Sequence, residues 1–388
     1  MTRSPLWGRR IHIAGSVSTD ASVASGADVD NARAFIARLV PALVKRGALF
    51  VVPVDADKRR AGDDRPICFD WLIWQGLKDS LALRPRDAPS PLAIAVQHHK
   101  SEAQIPTQMQ DLWDQLRGSD LVSIENAAHW NMNSKRMESG ARSGDILITL
   151  GGGEGVLFLA NIYHAAGKPV VPLNLELCPS GEGSRRLFEY GLTKANSTRF
   201  FQVREPPEPH GWINRINFSA RHSIEQQVEA VLELLEVLER PRAFVVRLLN
   251  PKHADHAAVE DFFTSVVQPV VEGELGYKLT VVDGRQPFEQ PRIDQEIFTK
   301  LHRSGVVIAD ITGVRPNCFI ELGYALGRGH PTLLTAKEGT ENPFDTYTIP
   351  GLFWSTTGSV ADRQRAFRDH WTAAVGRPAL VSSDPLIA

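Results

Sequence analysis

Residues 304–325 read SGVVIADITGVRPNCFIELGYA. The unbroken apolar run before Asp310 predicts a short strand over 306–310, covered on both faces as in a parallel sheet. Gly313 and Pro316-Asn317 then mark a turn-rich loop. Helical spacing resumes over 319–327, so Glu321 stands about one turn beyond the loop. Acid groups at the carboxyl end of a parallel strand lie where open α/β sheets form ligand crevices. Phe319, Ile320 and Leu322 flank Glu321, and poorly hydrated surroundings raise a carboxyl pKa and suit it to chemistry. A structural reading is also open, in which Asp310 terminates the strand and Glu321 caps or pairs on the helix.

The same rhythm extends outward in both directions. Strands are expected at 243–249, 278–282 and 332–335, and helices at 257–272 and 293–303. The second half starts after Pro241, which cannot continue the hydrogen-bond ladder of a strongly periodic helix over 222–240. Residues 10–14, 48–54, 120–124, 145–150 and 169–173 read as strands of the first half. A helix is expected over 31–46, with a kink at Pro41. The Pro-rich stretch 85–106, with its paired histidines, reads as a surface excursion, and 205–211 (EPPEPHG) as a loop. The expected fold class is therefore α/β, with two tandem Rossmann-like or flavodoxin-like domains, 1–240 and 241–388, each a parallel sheet flanked by helices.

At 388 residues and 43% hydrophobic content the chain is long enough for two cores. A net charge of −2 provides no overall basic field for nucleic acid or an anionic membrane, which points to a small ligand. Three scattered cysteines argue against a disulfide framework or a structural zinc site. Apolar runs of membrane-spanning length are absent, so a cytoplasmic protein is expected.

Two glycine loops follow strands of the first half: Gly15-Ser16 after 10–14, and Gly151-Gly152-Gly153-Glu154-Gly155 after 145–150. Glycine there lets a backbone approach an oxygen-rich ligand, and the next helix start favours phosphate. It can equally serve tight packing. The two loops, AGS and ITLGGGEG, resemble the SLOG superfamily of Rossmann-like nucleotide-binding and nucleotide-processing domains. Its hydrolytic LOG branch has PGGxGTxxE, whose glutamate takes part in cleaving a ribosyl bond. Aligned to this chain, its glycines fall on Gly152, Gly153 and Gly155, its threonine on Val156 and its glutamate on Leu159. The resemblance thus implies a cradle that binds a nucleotide-derived signal, such as a cyclic nucleotide or ADP-ribose species, without a hydrolytic carboxylate. Arg185, Arg186, Lys194 and Arg199 are candidate phosphate partners, or simply a solvated face.

In the second half Asp310, Thr312, Gly313, Pro316, Asn317, Glu321, Leu322, Gly323, Tyr324 and Ala325 follow the pattern DxTGxxPNxxxELGYA. This is similar to the nucleoside 2-deoxyribosyltransferase-like group, relatives of the TIR domains, over about 243–354. The resemblance implies that Glu321 attacks or stabilises the anomeric carbon as the base departs, with Asp310 and Asn317 beside it. The family's second aspartate is replaced by Arg315, whose planar fork suits a phosphate-bearing substrate, NAD or another nucleotide. Arg247, Asp294, Thr312 and Arg315 complete the expected substrate site, with Asp345 and Tyr347 at its rim.

Together the resemblances imply an antiphage effector: a sensor domain joined to an N-glycosidase that uses no metal or redox cofactor and works as a homo-oligomer. Nucleotide salvage and a non-catalytic nucleotide-binding scaffold are the alternatives.

Overall fold

A computed structural model of the chain describes residues 4–98, 100–127, 132–201, 203, 208–218, 222–283, 290, 292–341, 343 and 346–377. The chain divides into two compact units that part between Glu239 and Arg240. Each carries one all-parallel sheet between helices, so the molecule is α/β. No helix among the described residues is long and apolar enough to cross a membrane.

In the first unit the strands are β1 (Arg10–Ser16), β2 (Leu49–Pro53), β3 (Ala93–Gln97), β4 (Val122–Asn126), β5 (Ile146–Gly151) and β6 (Val170–Leu173), in the order β4-β3-β2-β1-β5-β6. The sheet grows outward from β1 through β4, and β5 then returns to the other side of β1. The carboxyl ends of β1 and β5 therefore flank a topological switch point, where such sheets hold ligands. The helix Gly26–Lys45 packs on this sheet through Val29, Phe35, Ile36, Leu39, Leu43 and Val44, all buried. Each such side chain contributes roughly 1.5–3 kcal/mol of burial. Ser25 and Asp28 form a capping box at its start, and Pro41 is accommodated inside it.

The second unit contains β7 (Arg242–Val246), β8 (Lys278–Thr280), β9 (Val306–Asp310), β10 (Thr332–Lys337) and β11 (Gly351–Trp354), in the order β11-β10-β9-β7-β8. Successive residues of β7 feed opposite cores: Ala243 and Val245 join Phe262, Trp354 and Phe367, while Phe244 and Val246 join Val307, Leu322 and Leu334. Burial on both faces explains why β7 and β9 read as nearly unbroken apolar runs.

Several expectations are corrected. Residues 93–97, expected on a surface excursion, form β3 in the sheet between β2 and β4. The helix expected over 319–327 begins at Pro316, whose missing N–H costs nothing in the first turn. The helix expected over 257–272 is α-helical only over His256–Phe262 and continues in wider π-type turns over Phe263–Val267 and Pro269–Glu274, where Pro269 has no N–H to donate. The loop assigned to 205–211 has a helix, Pro209–Arg215, over its last residues, while 205–207 and Asp345 lie outside the described residues. The long periodic helix ends at Val237, ahead of Pro241.

Candidate active site

Asp310 ends β9 with its side chain wholly buried. One carboxylate oxygen accepts from Thr335 Oγ1 and Trp354 Nε1, each at 2.8 Å, and the other accepts from the Thr312 backbone N–H at 3.1 Å. Burial pushes its carboxyl above the ordinary range, and these three donors oppose the rise. Thr312 is buried too, and its hydroxyl accepts from the Lys337 backbone N–H at 2.9 Å. The two residues expected at the reacting centre are thus enclosed, tying the ends of β9, β10 and β11 together with no face toward a ligand.

Glu321 sits in the second turn of Pro316–Gly327, half-buried, with Leu322 buried and Ile320 largely exposed. Burial raises its pKa, and the Arg315 charge pulls the other way. Arg315 itself is occupied: its guanidinium donates to the Arg247 carbonyl across the β7/β9 switch point and to Cys318 Sγ at 2.9 Å. The Arg247 guanidinium is 2.8 Å from Glu260 and lies 5.1 Å from the centre of the Phe263 ring. Asn317 is exposed, and Asp294 is paired with Arg292 at 2.5 Å. A cleft of about 300 Å³ opens beside the Gly313–Val314 turn, lined by Asp255, Lys337, Glu338 and Gly339. Among the expected site residues, Glu321, Asn317, Arg315, Arg247 and Asp294 do not line it. Tyr347 is exposed.

The first unit brings its expected residues closer together. The Gly152 N–H donates to the Ser16 carbonyl at 2.7 Å, and Ser18 N–H to the Leu177 carbonyl at 2.7 Å, so the loops after β1, β5 and β6 meet. A Cβ on Gly151 would overlap the Ser16 carbonyl, and one on Gly183 the Gly151 and Gly152 carbonyls. Both have positive φ, 59° and 47°. Gly15 is likewise pressed against the Leu150 carbonyl. Packing by itself is enough to require glycine at these positions. Gly153 is different: nothing lies within 4 Å of where its side chain would be, and it caps the helix Glu154–Ala165 with no side-chain bond. That helix start, flanked by Gly155, is the open part of the cradle. Glu154 there is exposed and 4.0 Å from Arg186.

Arg186 and Arg185 begin the helix Gly183–Gly191 that closes on the cradle, whereas Arg199 does not reach it. The Arg199 carbonyl bonds His164 at 2.8 Å, in the last turn of Glu154–Ala165, and its guanidinium donates to Tyr190 at 2.7 Å. Ten residues of helix put that position about 15 Å from the open end. Lys194 is paired with Glu208 at 2.7 Å.

The sequence reading missed a charged group at the same edge. Asp55, just past β2, holds Arg136 at 2.6 Å, and its carbonyl accepts from Trp71 Nε1 at 2.9 Å. Trp71 follows Asp70, the first residue of the helix Asp70–Asp79. Cys68 forms an antiparallel bridge to Ser16, and Val17 N–H bonds the Ile67 carbonyl at 2.9 Å. Met137, next to Arg136, lies where a Cβ on Gly155 would come within 3.1 Å. Burial raises Asp55, but the charge and hydrogen bond of Arg136 outweigh it, and its carboxyl lies below the ordinary range. Asp70 goes the other way: burial raises it, Arg136 opposes, and Asp55 and Asp57 add to the rise, leaving it at about 7.

A family model described as ATP nucleosidase Cap17-like, N-terminal, matches residues 6–235, more than half of the chain. The chain belongs to this family. The Cap17-like membership places it among nucleosidases, enzymes that cleave N-glycosidic bonds, and the matched span holds the cradle and the Asp55–Asp70–Arg136 group. No curated protein matches the chain. The X-ray structure of TM1055, a Northeast Structural Genomics Consortium target, is similar over 58% of this chain and 99% of its own, at 15% identity and a TM-score of 0.32.

Proposed function

We propose that this protein is a nucleotide N-glycosidase of antiphage defence, that an adenine nucleotide of the ATP class is its substrate, and that the first unit's cradle holds the phosphates. The observation that carries this reading is the open helix start at Gly153, the one cradle glycine that packing does not account for, inside the span of a nucleosidase family. Backbone N–H groups at a helix start suit phosphate, and Arg186 stands beside them. Loss of adenine from ATP would empty the pool on which phage replication draws.

Incubation of the purified chain with ATP, NAD and adenosine, with chromatography of free base, tests the reading; adenine from ATP is the expected product. Gly153→Asp is the matching variant. A carboxylate there can cap the helix, worth only a few tenths of a kcal/mol over glycine, yet repels phosphate, so KM for ATP should rise about tenfold or more while Tm changes little. An unchanged KM would remove the phosphates from this cradle.

A second reading is favoured by the raised pKa of half-buried Glu321 beside Arg315. Here the first unit senses a cyclic nucleotide or ADP-ribose-type signal and Glu321, in the second unit, cleaves NAD or another nucleotide, with homo-oligomerisation as the switch. Glu321→Gln should then abolish base release and leave nucleotide binding at the cradle intact.

A further inference from the structure

Arg186, the arginine beside the open helix start, is largely exposed, with Glu154 its ion-pair partner at 4.0 Å. A long side chain gives up rotamer freedom when it grips a ligand, so it binds well only from a backbone that is already fixed. The helix that carries it, Gly183–Gly191, receives no side-chain cap from Glu182 before it. Its anchor is a buried hydroxyl pair instead.

Ser184, the second residue of that helix, has no exposed surface, and neither has Thr149 of β5. Their hydroxyl oxygens are 2.9 Å apart. Ser184 Oγ is also 2.8 Å from the Thr149 carbonyl and 2.9 Å from the carbonyl of Leu173, the last residue of β6. A hydroxyl has one proton to give and two lone pairs to fill. Ser184 spends its proton on a carbonyl, so Thr149 is the donor between the two hydroxyls. The helix start is thereby tied to the ends of two neighbouring strands. Gly183, just before Ser184, is pressed against the Gly151 and Gly152 carbonyls. The same few residues of β5 and its loop that form the cradle therefore also seat this helix. Helical residues turn by about 100° each, so Arg186 stands about 200° from Ser184, away from the sheet and over Glu154 at the start of Glu154–Ala165. Arg185, between them, is engaged with the Cys178 carbonyl at 3.2 Å.

We propose that Ser184 is a positioning residue of this site: with Thr149 it fixes the start of Gly183–Gly191 on β5 and β6 and so aims Arg186 at phosphates held at Gly153. The inference rests on the phosphate-cradle reading of the first unit. Ser184 touches no substrate and takes no part in bond cleavage; its effect passes through Arg186. Without the hydroxyl the helix start can shift on the sheet, and the guanidinium loses its preset direction. ATP binding weakens while the chemical step is left alone.

The test uses the full chain and ATP. Arg186→Ala should raise KM for ATP about tenfold. Ser184→Ala should raise it about three- to tenfold, with kcat within about twofold of wild type. Thr149→Val, which keeps the shape of the side chain and removes the same hydrogen bond, should do likewise. In the Arg186→Ala background, Ser184→Ala should add less than about twofold, because the group it positions is gone. Melting curves establish that each variant is folded, and if Ser184→Ala is not, Thr149→Val carries the same cycle. A folded variant with unchanged KM overturns the role, as does a fall in kcat at unchanged KM. Full additivity with Arg186→Ala also overturns it, since that is the mark of packing alone. If wild type cleaves ATP and Arg186→Ala leaves KM unchanged, the nucleosidase stands and the positioning role falls. If wild type binds ATP but releases no base, the nucleosidase reading fails, and the same cycle on calorimetric Kd still decides the role of Ser184. If wild type binds no ATP, the cradle reading fails and the positioning role with it.

Discussion

At the scale of single residues, Asp70 makes a claim about stability that does not depend on any substrate. Its carboxyl has a folded pKa of about 7, against about 3.9 in an unfolded chain. The folded state therefore holds the extra proton between those values, and stability falls as pH rises from about 4 to 7. Asp70→Asn removes the partly desolvated charge. Urea titrations should find the variant more stable than wild type by about 1–3 kcal/mol at pH 8 and no more stable at pH 4; equal stabilities at pH 8 would place the carboxyl in water. Residues of this kind were illegible in the sequence. Asp55, Asp70 and Arg136 come from three distant segments, and no local pattern joins them. The strand and helix on either side of the Gly313 turn were legible because they are contiguous. Contiguity also misled, since Asp310 and Thr312 share the motif but spend their polar atoms on neighbouring strands.

At the scale of elements, one carboxylate ties three strands. Asp310→Ala would leave the Trp354 indole N–H, the Thr335 hydroxyl and the Thr312 N–H without their acceptor, and each buried unpaired group costs about 1–3 kcal/mol. Denaturation should show a loss of about 3–5 kcal/mol in the second unit with reddened Trp354 fluorescence; a loss below 1 kcal/mol would mean that water reaches the site. The strands β2, β7 and β9 were readable because burial on both faces leaves an apolar run, and β1 and β5 because the single polar residue inside each, His12 and Thr149, is itself buried among apolar neighbours. β3 was hidden, since its short AIAV core lies between proline-rich and histidine-paired flanks that read as surface. β11 went unseen behind Pro350 for the same reason. The helix start at Pro316 was misread as loop, although proline in a first turn is itself a start signal.

At the scale of the whole molecule, each unit has its own core and its own sheet. A chain ending at Glu239 should unfold in one cooperative transition and, on the first-unit reading, still release adenine from ATP at a rate within about tenfold of the full chain. A folded but inert fragment, beside an active full chain, would move the reaction to Glu321. Because each sheet is drawn from one contiguous stretch of sequence, the parts also become available in sequence during synthesis. β6, the last strand of the first sheet, ends at Leu173, so that sheet has every strand it needs before any of β7–β11 has left the ribosome. At about 5–20 residues per second, the 68 residues between Leu173 and Arg242 take on the order of 3–14 s to emerge. All-parallel pairing depends on distant contacts and is slow to form; that interval lets the nucleotide cradle assemble without competition from the second sheet's exposed strands.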